Sequence, residues 1–384
     1  MDIIKVIKWL ILASIIGAVG GLSSLLLNLI IGHKINNLLF LPLTFFIVGV
    51  FIDKFNEIRR TGIDRVVMAL KNNIELNFIY GALKIILTGL VISSGGSAGK
   101  EGPCVQSSAA FADYLYKKLR LKNRELVLLT GVAGGLGGAF LSPLGAAVFT
   151  CEISERENFR YINLIPPIIA SIVGYSIVYS IIGETHLINI NVSYVFNLLD
   201  LPLFILASFF CILVAKLFIK TYVKVKYFFE SLPYPYSVRL TIAGILLAIL
   251  GYFFPQVLGL GLDLIKETFF MSIPIYFLVI LLLAKILATS LTIGSGAPGG
   301  LVIPSMCIGA LSGLLFASIF NLNPSPYIVL GIATVVSATS NTPLGTSILC
   351  LDIFNSSFLI PATIGAVLGY QLTKFETLYK HLEF

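Results

Sequence analysis

Lys100 and Glu101 sit side by side in a glycine-rich run, Gly95-Gly96-Ser97-Ala98-Gly99-Lys100-Glu101-Gly102-Pro103, within a chain that is otherwise mostly apolar. A second run, Gly294-Ser295-Gly296-Ala297-Pro298-Gly299-Gly300-Leu301-Val302-Ile303-Pro304, carries no ionisable side chain at all. Backbone of this kind survives at bilayer depth only where protein buries it or where it lines a hydrated path. Helices broken there turn free N–H groups and partial positive charge toward the interior, a setting that holds an anion. A carboxylate at such a helix start can occupy the anion position when ionised and vacate it when protonated. The chemistry implied is reversible anion binding under acid control. Glu101 is the candidate gate, since ionisable groups inside a membrane are costly and usually functional.

The same run imitates a phosphate-binding loop, G-x-x-x-x-G-K-[ST], and fails it twice. Ser94 stands where the first glycine belongs, and Glu101 replaces the terminal Ser/Thr. A carboxylate there would repel phosphate, so nucleotide hydrolysis is rejected. His33, His186 and His381 are widely spaced, and Cys104, Cys151, Cys211, Cys307 and Cys350 form no C-x-x-C pair. No metal or other cofactor is expected, and the cysteines read as reduced core packers. An intramembrane enzyme would need a Ser/His pair or an aspartate dyad within the spans, and Glu101 has no such partner. A structural scaffold would leave the broken helices and Glu101 without a purpose.

The elements that must position these residues are membrane helices. Hydrophobic residues make up 57% of the chain and charged residues 12%, which excludes an ordinary soluble domain. No Asp, Glu, Lys or Arg occurs from Ile286 to Leu351, whereas one crossing needs only about 20 apolar residues. Further spans are expected over Trp9–Ile31, Glu125–Thr150, Ile162–Ile182 and Leu240–Leu262, mixed with shorter tilted pieces. The net charge of +7 resides in short loops: Lys5 and Lys8, then Lys117 to Arg124, then Lys216 to Lys226. The positive-inside rule places these loops and the N-terminus in the cytoplasm, and nucleic acid is not an expected partner. The first apolar segment reads as a retained helix, with the plasma (inner) membrane the expected location in a prokaryote.

The chain also resembles itself at an offset of about 200 positions: Gly131-Val132-Ala133 matches Gly331-Ile332-Ala333, Ser142-Pro143-Leu144-Gly145 matches Thr342-Pro343-Leu344-Gly345, and Glu152-Ile153 falls on Asp352-Ile353. Repeats in transporters are often inverted, with the substrate held at their interface by discontinuous helices. The expected organisation is one membrane domain over 1–384, with halves at about 1–190 and 195–384 and no C-terminal cytoplasmic regulatory domain.

At these residues the chain resembles the CLC family of chloride channels and proton/chloride exchangers. Gly99-Lys100-Glu101-Gly102-Pro103 looks like the family's G-[KR]-E-G-P signature, and Gly299-Gly300-Leu301-Val302-Ile303-Pro304 like G-G-x-F-x-P, with Val302 in place of Phe. The similarity runs on through Pro143 to Glu152 and Phe159-Arg160-Tyr161. The resemblance implies an all-α fold, an inverted repeat of many tilted and broken transmembrane helices, assembled as a homodimer with one anion pathway per subunit. It implies chloride as the transported partner, with protons a second.

Carried over residue by residue, the resemblance makes Glu101 the gating glutamate and the Leu301 and Val302 amides the central-site donors. Ile303 and the backbone of Gly99, Lys100 and Gly102 serve the outer site, where Lys100 shapes the field. The third signature, G-S-G-I-P, is degraded to Arg60-Thr61-Gly62-Ile63-Asp64; Thr61 keeps a hydroxyl for the anion, with helix capping as its alternative. Tyr379, in Thr377-Leu378-Tyr379-Lys380, is placed like the tyrosine that meets the central anion, with an interfacial anchor as its alternative. Exchangers similarly carry a second glutamate where Ile153 stands here. Glu152 is then a helix-end structural carboxylate or a substitute proton relay. The expectation placed first is passive chloride conduction gated by Glu101. Proton/chloride exchange by a non-standard inner proton route comes second. Fluoride or nitrate transport comes last, because such relatives replace the central hydroxyl residue by Met or Pro.

Overall fold

A computed structural model describes residues 3–35, 37–154, 161–271, 273–373 and 377–379. Among them the chain forms sixteen α-helices and no strand, an all-α multi-pass membrane protein as the composition implies. The first eight helices are α1 (Ile3–Gly32), α2 (Phe40–Lys54), α3 (Gly62–Lys71), α4 (Phe78–Ser93), α5 (Glu101–Lys118), α6 (Arg124–Phe140), α7 (Pro143–Ser154) and α8 (Ile165–Ile182). The second eight are α9 (Leu201–Ser231), α10 (Tyr236–Phe253), α11 (Leu262–Phe270), α12 (Ile275–Gly294), α13 (Val302–Ile319), α14 (Pro324–Ser340), α15 (Pro343–Ile353) and α16 (Leu359–Thr373).

Six of the helices are long and apolar enough to cross a bilayer, while α4, α7 and α15 are apolar but shorter. Two expected spans are corrected. The stretch Glu125–Thr150 is not one crossing: α6 ends at Phe140, Leu141 turns left-handed at φ 51°, and Pro143 opens α7. Proline is tolerated at a first helical position because no helical acceptor waits for its missing N–H. The stretch Leu240–Leu262 begins earlier, as α10 at Tyr236, and closes at Phe253 before a 3-10 turn at Pro255–Val257. Phe159, Arg160, Lys380 and His381 lie outside the described residues, and all five cysteines are buried.

Helices α7 and α15 cross-cap each other. Glu152, near the end of α7, accepts the Leu344 N–H at 3.0 Å and the Gly345 N–H at 2.6 Å, both at the start of α15. Asp352, near the end of α15, accepts the Leu144 and Gly145 N–H groups at 3.2 and 3.0 Å and the Ser142 hydroxyl at 2.7 Å. Each carboxylate thus satisfies orphan donors of the partner helix and sits against its positive end. We expect Glu152→Ala to cost about 1.5–3 kcal/mol, the worth of a hydrogen bond to a charged group, as a lowered melting point in detergent.

The expected basic loops are corrected: Lys5 and Lys8 lie in α1, Lys216, Lys220, Lys224 and Lys226 lie within α9, and Lys117 and Lys118 close α5, which leaves Arg120 and Lys122 between α5 and α6. Arg124, at the start of α6, binds Asp113 at 2.7 and 2.8 Å and also donates to Ala69 O, Ile74 O and Asn73 Oδ1. On the same α3 side, Arg60 pairs with Glu230 at the end of α9, and Arg65 pairs with Glu57 at 3.0 Å.

Candidate functional site

Helices α5 and α13 begin deep in the protein, and their starts meet. Gly99 and Gly300 exchange two backbone hydrogen bonds, Gly99 N–H to Gly300 O at 2.8 Å and Gly300 N–H to Gly99 O at 2.7 Å. The segment before α3 joins the same seam: Arg60 N–H donates to Gly296 O at 3.1 Å, and Thr61 pairs with Gly299. Gly102 packs against Gly299 O and Gly62 N. The three motif segments, about 40 and 200 positions apart in sequence, therefore form one backbone seam.

The Glu101 side chain lies across that seam. It is fully buried, and its Oε1 accepts the Val302 N–H at 2.6 Å. Its Oε2 has no hydrogen-bond partner among the described residues. A buried carboxylate without a cation is expensive, and here its surroundings are helix N-termini rather than an ammonium. Lys100 turns elsewhere, its Nζ donating to Asn28 Oδ1 at 2.9 Å. Glu101 is therefore not a salt-bridge partner of Lys100; its carboxylate stands against the first amides of α13. Gly99 and Gly300 explain the two glycines: an ideal Cβ on either would lie 2.1 Å or 2.0 Å from a Glu101 carboxylate oxygen.

Leu301 caps α13 and Val302 and Ile303 open it, so their N–H groups belong to the first turn, whose donors have no acceptor within the helix. Thr61 caps α3: its Oγ1 accepts the Asp64 N–H at 3.2 Å and donates to Asp64 Oδ2 at 2.7 Å. The hydroxyl expected to serve an anion is thus engaged within a capping box. Tyr379 is only 1% exposed, with a hydroxyl that has no partner among the described residues, in electrostatic reach of Glu101, Asp64 and Tyr222. It is a buried side chain, not an interfacial anchor. Ile153 is aliphatic core at 4% exposed, and Glu152 belongs to the α7–α15 latch.

Two residues escaped the sequence reading. Lys84 in α4 is fully buried and donates to Gln106 Oε1 at 2.8 Å and Arg59 O at 3.4 Å. Lys285 in α12, also fully buried, donates to Val257 O at 2.9 Å and Gly259 O at 3.4 Å. Each tethers the turn that precedes a short helix, α3 or α11, and a lysine inside an apolar helix was the available signal. A cavity of about 530 Å³, lined by Lys34, Ser94, Gly95, Leu258 and Asp263 among others, includes none of the seam residues around Glu101.

The family model for the voltage gated chloride channel matches residues 44–374. The chain belongs to that family. It is 58% identical to an uncharacterised protein of Methanocaldococcus jannaschii, over 99% of this chain and 97% of that one. It is 29% identical to the H(+)/Cl(-) exchange transporter ClcA of Vibrio campbellii, over 76% of this chain and 66% of the relative. In fold it is similar to a slow cyanobacterial Cl-/H+ antiporter, with a TM-score of 0.88 at 18% identity, over 98% of this chain and 97% of that one. The chain is thus a CLC-family anion transport protein, in a family of channels and transporters rather than enzymes.

The two hydroxyls invite a paired test. Removing an orphaned buried hydroxyl costs nothing in itself, so Tyr379→Phe should leave thermal stability unchanged while weakening chloride binding in calorimetry. Thr61→Ala removes a cap worth roughly 0.5–2 kcal/mol and should lower the melting point. Loss of chloride affinity in addition, at any pH, marks the hydroxyl as a ligand; affinity unchanged at both neutral and acid pH leaves it a cap only.

Proposed function

We propose that this chain carries chloride across the membrane through a pathway gated by Glu101, as passive conduction. The observation that carries the reading is the Glu101 Oε1 accepting the Val302 N–H at 2.6 Å, where the starts of α5 and α13 meet. The carboxylate acts as a tethered anion. Ionised, it fills the cradle; protonated, it loses its attraction to the helix N-termini and yields to a free anion of the same charge. Leu301, Val302 and Ile303 supply backbone donors, Gly99, Lys100 and Gly102 flank the outer position, and Thr61 and Tyr379 serve the inner one. Moderate affinity follows from using dipoles instead of a full cation, as conduction requires.

Passive conduction is supported over exchange by Ile153, which accepts no proton, and by Glu152, whose two oxygens are engaged by the α15 amides. Proton/chloride exchange stands second, favoured by the activity named for the Vibrio campbellii relative. The two halves, 1–190 and 195–384, act as an inverted repeat, and two copies form a dimer with separate pathways, a reading supported by the family resemblance. The basic segments and the N-terminus are cytoplasmic by the positive-inside rule.

The test is the reversal potential of purified protein in vesicles under opposing chloride and proton gradients. Passive conduction reverses at the chloride equilibrium potential whatever the proton gradient. A shifted reversal, with uphill proton movement that Glu101→Gln abolishes, overturns passive conduction in favour of exchange. Chloride-independent vesicle currents overturn both.

A further inference from the structure

A hydroxyl has one proton to give, and that of Thr61 is already given. It goes to Asp64 Oδ2 at 2.7 Å, while the Thr61 oxygen accepts the Asp64 N–H at 3.2 Å. An ionised carboxylate only accepts, so the shared proton must be Thr61's own. With Asp64 charged, the Thr61 oxygen therefore offers an anion a lone pair, which repels it. Tyr379, in electrostatic reach of Asp64 and Glu101, has a hydroxyl with no partner among the described residues.

Protonation of Asp64 reverses the pair. The carboxyl gains an O–H that donates to the Thr61 oxygen, and the Thr61 proton turns away to whatever occupies the pathway. One proton taken from water is bound at Asp64; Thr61 keeps its own, and no other bond is made or broken. We infer that Asp64 is a proton-binding site that sets the chloride affinity of the inner position beside Thr61 and Tyr379. Ionised it withholds a donor from the anion, and protonated it releases one. The inference rests on the reading above that chloride occupies this position.

The surroundings suit such a switch. Asp64 is half-buried, so part of its surface is in reach of the solution. Around it stand Arg60, paired with Glu230, and Arg65, paired with Glu57. Lys84 from α4, Tyr222 and Lys226 from α9 and Tyr379 lie in electrostatic reach. Four cations against two further acids let the carboxylate carry its charge at the protein edge without being an isolated buried ion. A carboxylate at this site also puts a titratable group near the inner position, which Ile153 does not provide.

The experiment is calorimetric titration of chloride into purified Glu101→Gln protein, where the gate no longer titrates. Affinity should rise roughly tenfold or more between about pH 7 and about pH 3, a range that spans the protonation of an aspartate, and the rise is the worth of one hydrogen bond to a charged group. Adding Asp64→Ala should hold affinity high at both pH values, and Asp64→Asn should make it independent of pH. Adding Thr61→Ala should leave affinity low and flat. Chloride binding to Glu101→Gln protein that is already independent of pH overturns the switch alone. pH dependence that persists with Asp64→Asn, or with Thr61→Ala, also overturns it. Absence of chloride binding at any pH overturns the switch together with the chloride reading of the site.

Discussion

Chloride flux through the Glu101→Gln protein is expected to lose its dependence on external pH. The carboxylate lies across the seam with Oε1 on the Val302 N–H, and its other oxygen has no hydrogen-bond partner among the described residues. External acid protonates it, and a neutral carboxyl competes poorly with chloride for the N-terminal ends of α5 and α13. Wild-type flux should therefore rise severalfold as external pH falls from about 7.5 to about 4.5 and the carboxylate gains its proton. Glutamine has the shape of the protonated glutamate and no charge to lose. Its flux should sit near the wild-type acid limit at every external pH. Glu101→Ala, which removes the side chain altogether, should behave the same way with a wider pathway. Vesicle efflux that keeps the wild-type pH profile in Glu101→Gln would remove Glu101 from the gate. Any chloride-driven proton movement should vanish in the same variant.

The parts of this site legible in sequence are those where the backbone does the chemistry. Gly99-Lys100-Glu101-Gly102 and Gly300-Leu301-Val302-Ile303 could be read as helix starts because glycine, proline and a lone carboxylate in apolar chain have few other uses. Their meeting is visible in the Gly99–Gly300 pair. What the sequence left open was decided by side-chain geometry. Thr61-x-x-Asp64 is both an anion-ligand candidate and a capping box, and only the 2.7 Å contact says which way its proton points. Glu152 could be a relay or a cap until the α15 amides are seen on both its oxygens. Lys84 and Lys285 were passed over because a lysine in an apolar helix suggests a loop-facing end, whereas both point inward onto carbonyl oxygens. The break between α6 and α7 was missed since Leu141, a residue with no special turn preference, takes the left-handed conformation.

Gly300→Ala should reduce chloride flux more than any substitution that leaves Glu101 in place. An ideal Cβ on Gly300 lies 2.0 Å from Glu101 Oε1 and 2.2 Å from its carboxyl carbon, far inside van der Waals contact. The carboxylate must leave, and the methyl then stands where the anion would. Gly300 cannot retreat easily, because its own N–H and C=O are both bonded to Gly99. Overpacking of this kind costs about 1–3 kcal/mol, so site occupancy should fall roughly tenfold or more. The variant should also lose its response to external pH, since the displaced carboxylate no longer competes for the cradle. Adding Glu101→Ala separates the two causes. If the methyl blocks the anion, flux stays low in the double variant; recovery to the Glu101→Ala level would mean that it clashes with the carboxylate alone. Gly32→Ala, whose added methyl meets nothing within 4 Å, controls for glycine replacement as such and should transport normally. Chloride affinity and pH response of wild-type form in Gly300→Ala would show that the anion passes elsewhere.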